Sequence, residues 1–270
     1  MDTVNKSIVY ICSVIIGIIM LSGCQSYTTP GGGADMSLFA DKELVTVPTG
    51  ERIVTPQDCP KYRTGDNQGS TIEITKRKPM AQFPVNMVAV RVQESGYTSR
   101  TNRGYGHGNY SVVTVRDIEK EEDFDRINKL TGIAQISSLS RLLLPSYLQS
   151  DKELRKAASR LQADMILIYT LDTDFYDRDS STPLSIISLG LAPTIQARVI
   201  TTISAMVIDT RTGYIYGILE ETTRKEQIAA VFTTQNAFDQ LRQKTEREAF
   251  EMFLDEFEVL WKNILNQYWK

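Results

Sequence analysis

Four carboxylates fall within the stretch "LDTDFYDRDSS": Asp172, Asp174, Asp177 and Asp179. Clustered hard oxygen donors are what Ca2+ takes, so this run is a candidate cation site. Its spacing departs from an EF-hand loop, with no glycine at the sixth position and no glutamate at the twelfth. A strand that ends in an acidic, solvated loop accounts for the same letters. Were the carboxylates to converge on a metal, the chemistry open to them would be metal-assisted hydrolysis. His107 is the only histidine in the chain and the other group such a reaction could use. One histidine excludes a multi-histidine zinc site.

His107 lies in "RGYGHGNYS", among glycines and tyrosines. A glycine-rich loop can cradle phosphate, but this one lacks the terminal Gly-Lys-Ser/Thr of a P-loop. Two readings stay open. Tyr105, His107 and Tyr110 form a loop that touches a glycan or a protein, or they sit on a hairpin tip with no ligand. The apolar "PLSIISLGLAP" at 183–193 is a buried crossing or, if exposed, a docking patch or membrane-dipping loop.

The 270 residues carry a formal net charge of -3, with 41% hydrophobic and 23% charged residues. That composition suits a folded body with a real core. It shows no basic surplus for nucleic acid, and the only local basic cluster, "TKRKP" at 75–79, reads as a solvated strand edge. No nucleic-acid partner is expected.

The elements that position these residues follow from periodicity. "FPVNMVAVRVQES" reads as a buried strand and "YSVVTVRD" as another. "EEDFDRINKLTGIAQISSLSRLLLPSYL" carries helical spacing at Phe124, Ile127, Leu130, Ile136, Leu139, Leu142 and Leu143. Ser150 and Asp151 cap "KELRKAASRLQA", whose Leu154, Ala157, Ala158 and Leu161 share one face. "DMILIYTLDTDF" is a mid-sheet strand, and two β-rich runs around "TRTG" form a hairpin closed by Asp209 and Gly213. From 234 to 269 a long helix carries Phe238, Leu241, Phe250, Phe253, Phe257, Leu260, Ile264 and Tyr268 on one stripe, which reads as core. Trp261 and Trp269 at its end suit either core or a partner surface. The expected class is α+β, one mixed sheet with helices packed on it and a long C-terminal helix.

At the N-terminus, Ile8 to Leu21 form an apolar run of 14 residues, short for a span and right for a signal h-region. The next residues, Leu21-Ser22-Gly23-Cys24, resemble the lipobox of bacterial lipoproteins. That resemblance implies cleavage between Gly23 and Cys24 and acylation of Cys24, including palmitate-type N-acylation, which anchors the chain in the lipid bilayer. Gln25, in place of Asp, implies outer-membrane sorting facing the periplasm in a two-membrane cell. Cys12 then leaves with the signal peptide, and Cys59 remains as one unpaired thiol, so no intramolecular disulfide is expected.

The organisation expected is a signal peptide at 1–23, a flexible tether at 24–37 built on Gly31, Gly32 and Gly33, an extended wrapping segment at 38–82, and an α+β domain at 83–270. "NMVAVRV", "LRKAASRLQADMILIYTLDT" and "SAMVIDTRTGYIYG" together resemble an envelope domain. It is the type shared by the TolB N-terminal domain, the curli secretion lipoprotein and the lipoprotein activators of penicillin-binding proteins. Those are folding motifs and carry no catalytic role. The segments lack a pair of alternating stretches suited to a barrel wall, which argues against a pore. Two functions remain. One is a non-enzymatic envelope accessory or scaffold that binds an envelope protein or glycan and needs no cofactor. The alternative is a metal-dependent envelope hydrolase using the 172–179 aspartates, with Ca2+ as the candidate ion.

Overall fold

The computed structural model describes residues 31–40, 77–99, 104–178, 194–230 and 234–269. Gly23, Cys24, Cys59, Asp179 and the 183–193 run lie outside the described residues, as does 41–76, most of the expected wrapping segment. None of the helices among the described residues is long and apolar enough to cross a membrane.

The fold is α+β. In chain order the elements are α1 (Ser37–Ala40), β1 (Val85–Glu94), β2 (His107–Gly108), β3 (Tyr110–Val113), α2 (Glu121–Asn128), β4 (Ile133–Ser138), β5 (Tyr147–Leu148), α3 (Asp151–Arg160), β6 (Met165–Arg178), β7 (Thr194–Asp209), β8 (Ile215–Ala230) and α4 (Thr234–Tyr268). The main sheet runs β3-β1-β6-β7-β8, with β4 also on β1. β4 and β6 are parallel to β1, while β3, β7 and β8 join antiparallel. β2 and β5 form a separate two-stranded parallel pair.

β1 is buried at every position from Met87 to Gln93, as a mid-sheet strand covered on both faces must be. Its odd positions Met87 and Ala89 join Leu167, Tyr169, Ile203 and Val207 beneath α2 and α4. Its even positions Val88, Val90 and Val92 join Ile166, Ile168 and Met206 beneath α1 and α3. The expected aromatic stripe of α4 is core, with Phe250, Phe253, Phe257 and Ile264 all buried. The two tryptophans divide. Trp261 is buried with its indole N–H donating to the Thr131 carbonyl at 2.9 Å, and Trp269 is exposed, stacked on Phe83 at 5.9 Å.

Two expectations are corrected. The helical spacing read through Ile136 and Leu139 stops at Lys129, and Ile133–Ser138 is a strand parallel to β1. Gly132, at φ +84, occupies the left-handed region where a helix commonly ends, and the chain turns there onto the sheet. Leu142, placed with the helical apolar positions, is 87% exposed. The second correction concerns the tether. Gly31 exchanges backbone hydrogen bonds with Thr173, the Gly32 carbonyl accepts from the Glu94 amide at 3.0 Å, and the Ala34 amide donates to Thr170 Oγ1 at 2.9 Å. Ala34, Leu38 and Phe39 are buried. Gly33 lies so close to Asp172 that an added Cβ would meet that side chain at 2.7 Å. From Gly31 onward the glycines therefore serve close backbone approach to β6.

Candidate functional site

Asp172 and Asp174 sit on β6 rather than in a loop, two positions apart on one exposed sheet face. That spacing separates their Cα atoms by about 6–7 Å. Asp172 faces the Gly31–Gly33 backbone, and β7 and β8 continue the exposed surface with Thr202 bonded to Thr222 at 3.0 Å and Ser204 to Glu220 at 3.0 Å. Asp177 lies on the same strand, three positions beyond Asp174. Among the described residues no group of three or more His, Cys, Asp or Glu side chains is arranged to hold a metal.

Tyr105, His107 and Tyr110 belong to an anchored segment. Tyr105 and Val112 exchange backbone hydrogen bonds, and the His107 amide donates to the Ser146 carbonyl at 2.9 Å. Tyr110 is buried, its hydroxyl donating to the Ser150 carbonyl at 2.8 Å and its ring 4.9 Å from Phe39. Burial, with Glu153 and Asp151 nearby, pushes the Tyr110 pKa up. It is a packing residue. His107 alone of the three is exposed, with its ring 5.4 Å from that of Tyr147.

Sequence reasoning does not find the two polar clusters that the fold assembles. The first is internal. Arg91 of β1 is 3.1 Å from Asp117, 3.5 Å from Glu119 and 3.8 Å from Glu246, while Arg242 of α4 is 2.7 Å from Glu246. Tyr169 donates to Glu119 at 2.8 Å, and Thr173 donates to Glu246 at 3.0 Å. Burial alone would lower the Arg91 pKa, but Glu119, Glu246 and Asp117 outweigh it and hold the guanidinium above its ordinary value. Burial raises that of Tyr169, and Glu119 adds to it. These groups join elements far apart in sequence and fix how α4 sits on the sheet.

Asp209 is a smaller hub of the same kind. Its Oδ1 accepts from the Arg211 and Thr212 amides at 2.8 and 3.0 Å, closing the expected hairpin turn. Its Oδ2 accepts from the Met80 and Ala81 amides at 2.7 and 3.0 Å and from the Tyr216 hydroxyl at 2.9 Å. The turn residue thus also pins the chain that enters β1.

The second cluster is at the surface and is the candidate site. In α3 the Ser150 Oγ accepts from the Lys152 amide, and Glu153 Oε2 accepts from the Ser150 amide at 2.9 Å, a capping box that starts the helix. Leu154, Ala157 and Ala158 then face the sheet, which turns Lys152, Lys156 and Arg160 outward at i, i+4 and i+8. The 141–147 segment runs beside them. Arg160 Nη1 donates to the Leu143 carbonyl at 3.3 Å, and the Tyr105 hydroxyl donates to the Leu144 carbonyl at 3.4 Å. Between segment and helix lies a groove of about 500 Å³ walled by Leu142, Pro145 and Tyr147 on one side and Lys152, Lys156 and Arg160 on the other. Tyr147 is 52% exposed. A shallower depression of about 260 Å³ continues from Lys152 and Lys156 to Ser159 and Thr210. The signal for this surface is the spacing of its three cations, opposite the apolar face of the same helix. Exposed apolar side chains beside cations can bind; they pair no nucleophile with a base.

No family model matches the sequence. No curated protein matches it either. One solved structure with similarity is described as a putative neuraminyllactose-binding hemagglutinin homolog from Helicobacter pylori, 8% identical over 67% of this chain and 89% of that chain, with a TM-score of 0.32. A likeness at that score carries no argument about this protein.

Proposed function

We propose that the chain is a lipoprotein of the bacterial envelope, held in the bilayer through acylated Cys24, that acts as a non-enzymatic accessory by binding another envelope component at the α3 groove. The observation that supports it is the route of the N-terminal segment. Gly31 to Ala40 docks on the α1/α3 side of the sheet, where Phe39 packs on Tyr110 and Tyr110 bonds to Ser150 at the start of α3. The chain that follows the lipobox is therefore fastened to the same side of the sheet that α3 covers, and an anchor at Cys24 would hold that side toward the membrane. Gln25 favours the outer membrane, facing the periplasm.

Mass spectrometry of the N-terminal peptide, together with fractionation of native protein and a Cys24→Ser variant, tests the anchor. Native protein is expected in the membrane fraction with acyl mass on Cys24, and the variant in the soluble fraction. An unmodified Cys24 on a membrane-bound native chain would overturn the reading.

A further inference from the structure

We infer that the groove beside α3 is a docking surface for an anionic phospholipid bilayer, with Leu142 and Tyr147 entering the interface and Lys152, Lys156 and Arg160 facing the headgroups. The inference deepens the proposed function and rests on its lipid anchor.

Charge is the first argument. The whole chain is acidic, at -3, yet the groove is lined by Lys152, Lys156 and Arg160, with the exposed Arg141 next in sequence to its Leu142. Glu153, the carboxylate lining the groove, is drawn into the helix cap by the Ser150 amide and hydroxyl at 2.9 and 3.2 Å. The local surplus is complementary to an anionic leaflet, where each Lys or Arg near the surface strengthens binding about five-fold.

Shape is the second. Leu142, 87% exposed, is the most exposed of the large hydrophobic side chains among the described residues, and it stands next to Arg141 at the mouth of the groove. The Ser140 cap and the Arg160 bond to Leu143 hold its backbone in place. An exposed leucine flanked by cations and an amphipathic tyrosine is the side-chain set of a membrane interface.

Reach is the third. Seven residue steps separate Cys24 from Gly31, a contour of at most about 25 Å. From Gly31 the chain is bound to the sheet and passes through Phe39 to Tyr110, whose hydroxyl touches the residue that caps α3. An acyl anchor so tied brings the groove to the bilayer it is anchored in. Acyl chains and a basic patch then act as two membrane signals, and the second fixes orientation, turning α4 away from the lipid.

The test uses the acylated full chain in a Cys59→Ser background, carrying Leu142→Cys labelled with an environment-sensitive dye. It is reconstituted into neutral phosphatidylcholine vesicles or vesicles one-third phosphatidylglycerol. Flotation reads the anchor, and quenching by brominated lipid reads the groove. Flotation is expected with both compositions, with strong quenching only on the anionic one. Lys152→Gln and Lys156→Gln should each lower the ratio of quenched to unquenched label about five-fold. About 0.5 M salt should remove most of the quenching. The same dye at Val259→Cys on α4 should stay unquenched. A matching thermal melt confirms that each variant is folded. Flotation without quenching at Leu142, quenching that ignores lipid charge, or equal quenching at Val259 overturns the inference while leaving the anchor standing. Quenching that fails in vesicles alongside protein crosslinks at this face in intact envelopes assigns the groove to a protein and also overturns it. A chain that floats with neither composition refutes the anchor instead. Excess anionic vesicles then decide the groove by whether they quench Leu142.

Discussion

The sheet is covered on both faces, but the covers are built differently. Over one face α4 lays Phe250, Phe253, Phe257 and Trp261 in a ladder with ring centroids 5.4–6.2 Å apart, and locks itself with the buried Arg91, Arg242 and Glu246 group. Over the other, α3 buries Leu154, Ala157 and Ala158, small side chains apart from the leucine, tucks Arg155 against the buried Asp151 at 2.7 Å, and keeps Lys152, Lys156 and Arg160 outside. The α4 face buries one charged group and presents a mixed outer surface, with Glu251, Asp255 and Glu256 exposed beside Met252 and Val259. The α3 face keeps apolar and basic side chains together at the surface. The difference separates a face that holds the fold from the face we propose as the binding surface.

The largest effect should come from breaking the α4 lock. Arg242→Ala removes the shortest ion pair of buried Glu246, leaving it the longer Arg91 contact and the Thr173 hydroxyl, and should lower stability by about 3 kcal/mol in urea unfolding, and Phe253→Ala should cost about 3–5 kcal/mol. If both fall below the cost of Leu154→Ala, the contrast between the faces is wrong. Asp209→Ala removes the acceptor of the bonds that close the hairpin turn and hold Met80 and Ala81, and should cost about 3 kcal/mol. Its signature is faster hydrogen exchange at the Met80 and Ala81 amides.

A pH series sharpens the same contrast. Burial acts to raise the Asp123 pKa, but the Arg247 pair and the Lys120 amide outweigh it and leave it below the ordinary carboxylate value. A depressed folded pKa means that stability is present above the unfolded value of about 4 and is lost as pH falls through the lower folded one. Arg247→Gln should therefore flatten the acid limb of the unfolding curve. The buried Tyr169 and Tyr110, both raised by burial, contribute stability below the free tyrosine value of about 10 that is lost as pH rises beyond it.

Smallest are the effects at the proposed binding face. Leu142→Ser and Lys156→Gln should each change stability by less than about 0.5 kcal/mol, and a larger loss would make the groove structural. Ca2+ should leave the Tm of native protein and of Asp172→Asn/Asp174→Asn alike. A Ca2+-dependent rise that the double variant abolishes would identify the acidic stretch as a metal site.

Much of this architecture can be read from periodicity. The α4 stripe, the β1 run and the Asp209–Gly213 turn declare themselves because the relevant residues are close in sequence. Ile133–Ser138 does not, since a six-residue apolar-polar mixture suits a helix or a strand until Gly132 is seen to end the turn before it. Gly31 to Gly33 mislead for a related reason: glycine permits both a loose tether and close backbone packing, and only the position of Asp172 distinguishes them. The Arg91 group is invisible because its members are brought together across 26 to 155 residues. The α3 cations are visible in the sequence, but their meaning depends on the 141–147 segment beside them.

The most direct measurement is photo-crosslinking in living cells from single sites on the two faces, Leu142 and Tyr147 beside α3 and Met252 and Val259 on α4. Crosslinks to envelope lipid or protein from the first pair, absent from the second and reduced in a Cys24→Ser background, are the predicted result. Crosslinks concentrated at Met252 and Val259, or the same pattern with and without Cys24, would contradict the assignment of the binding face.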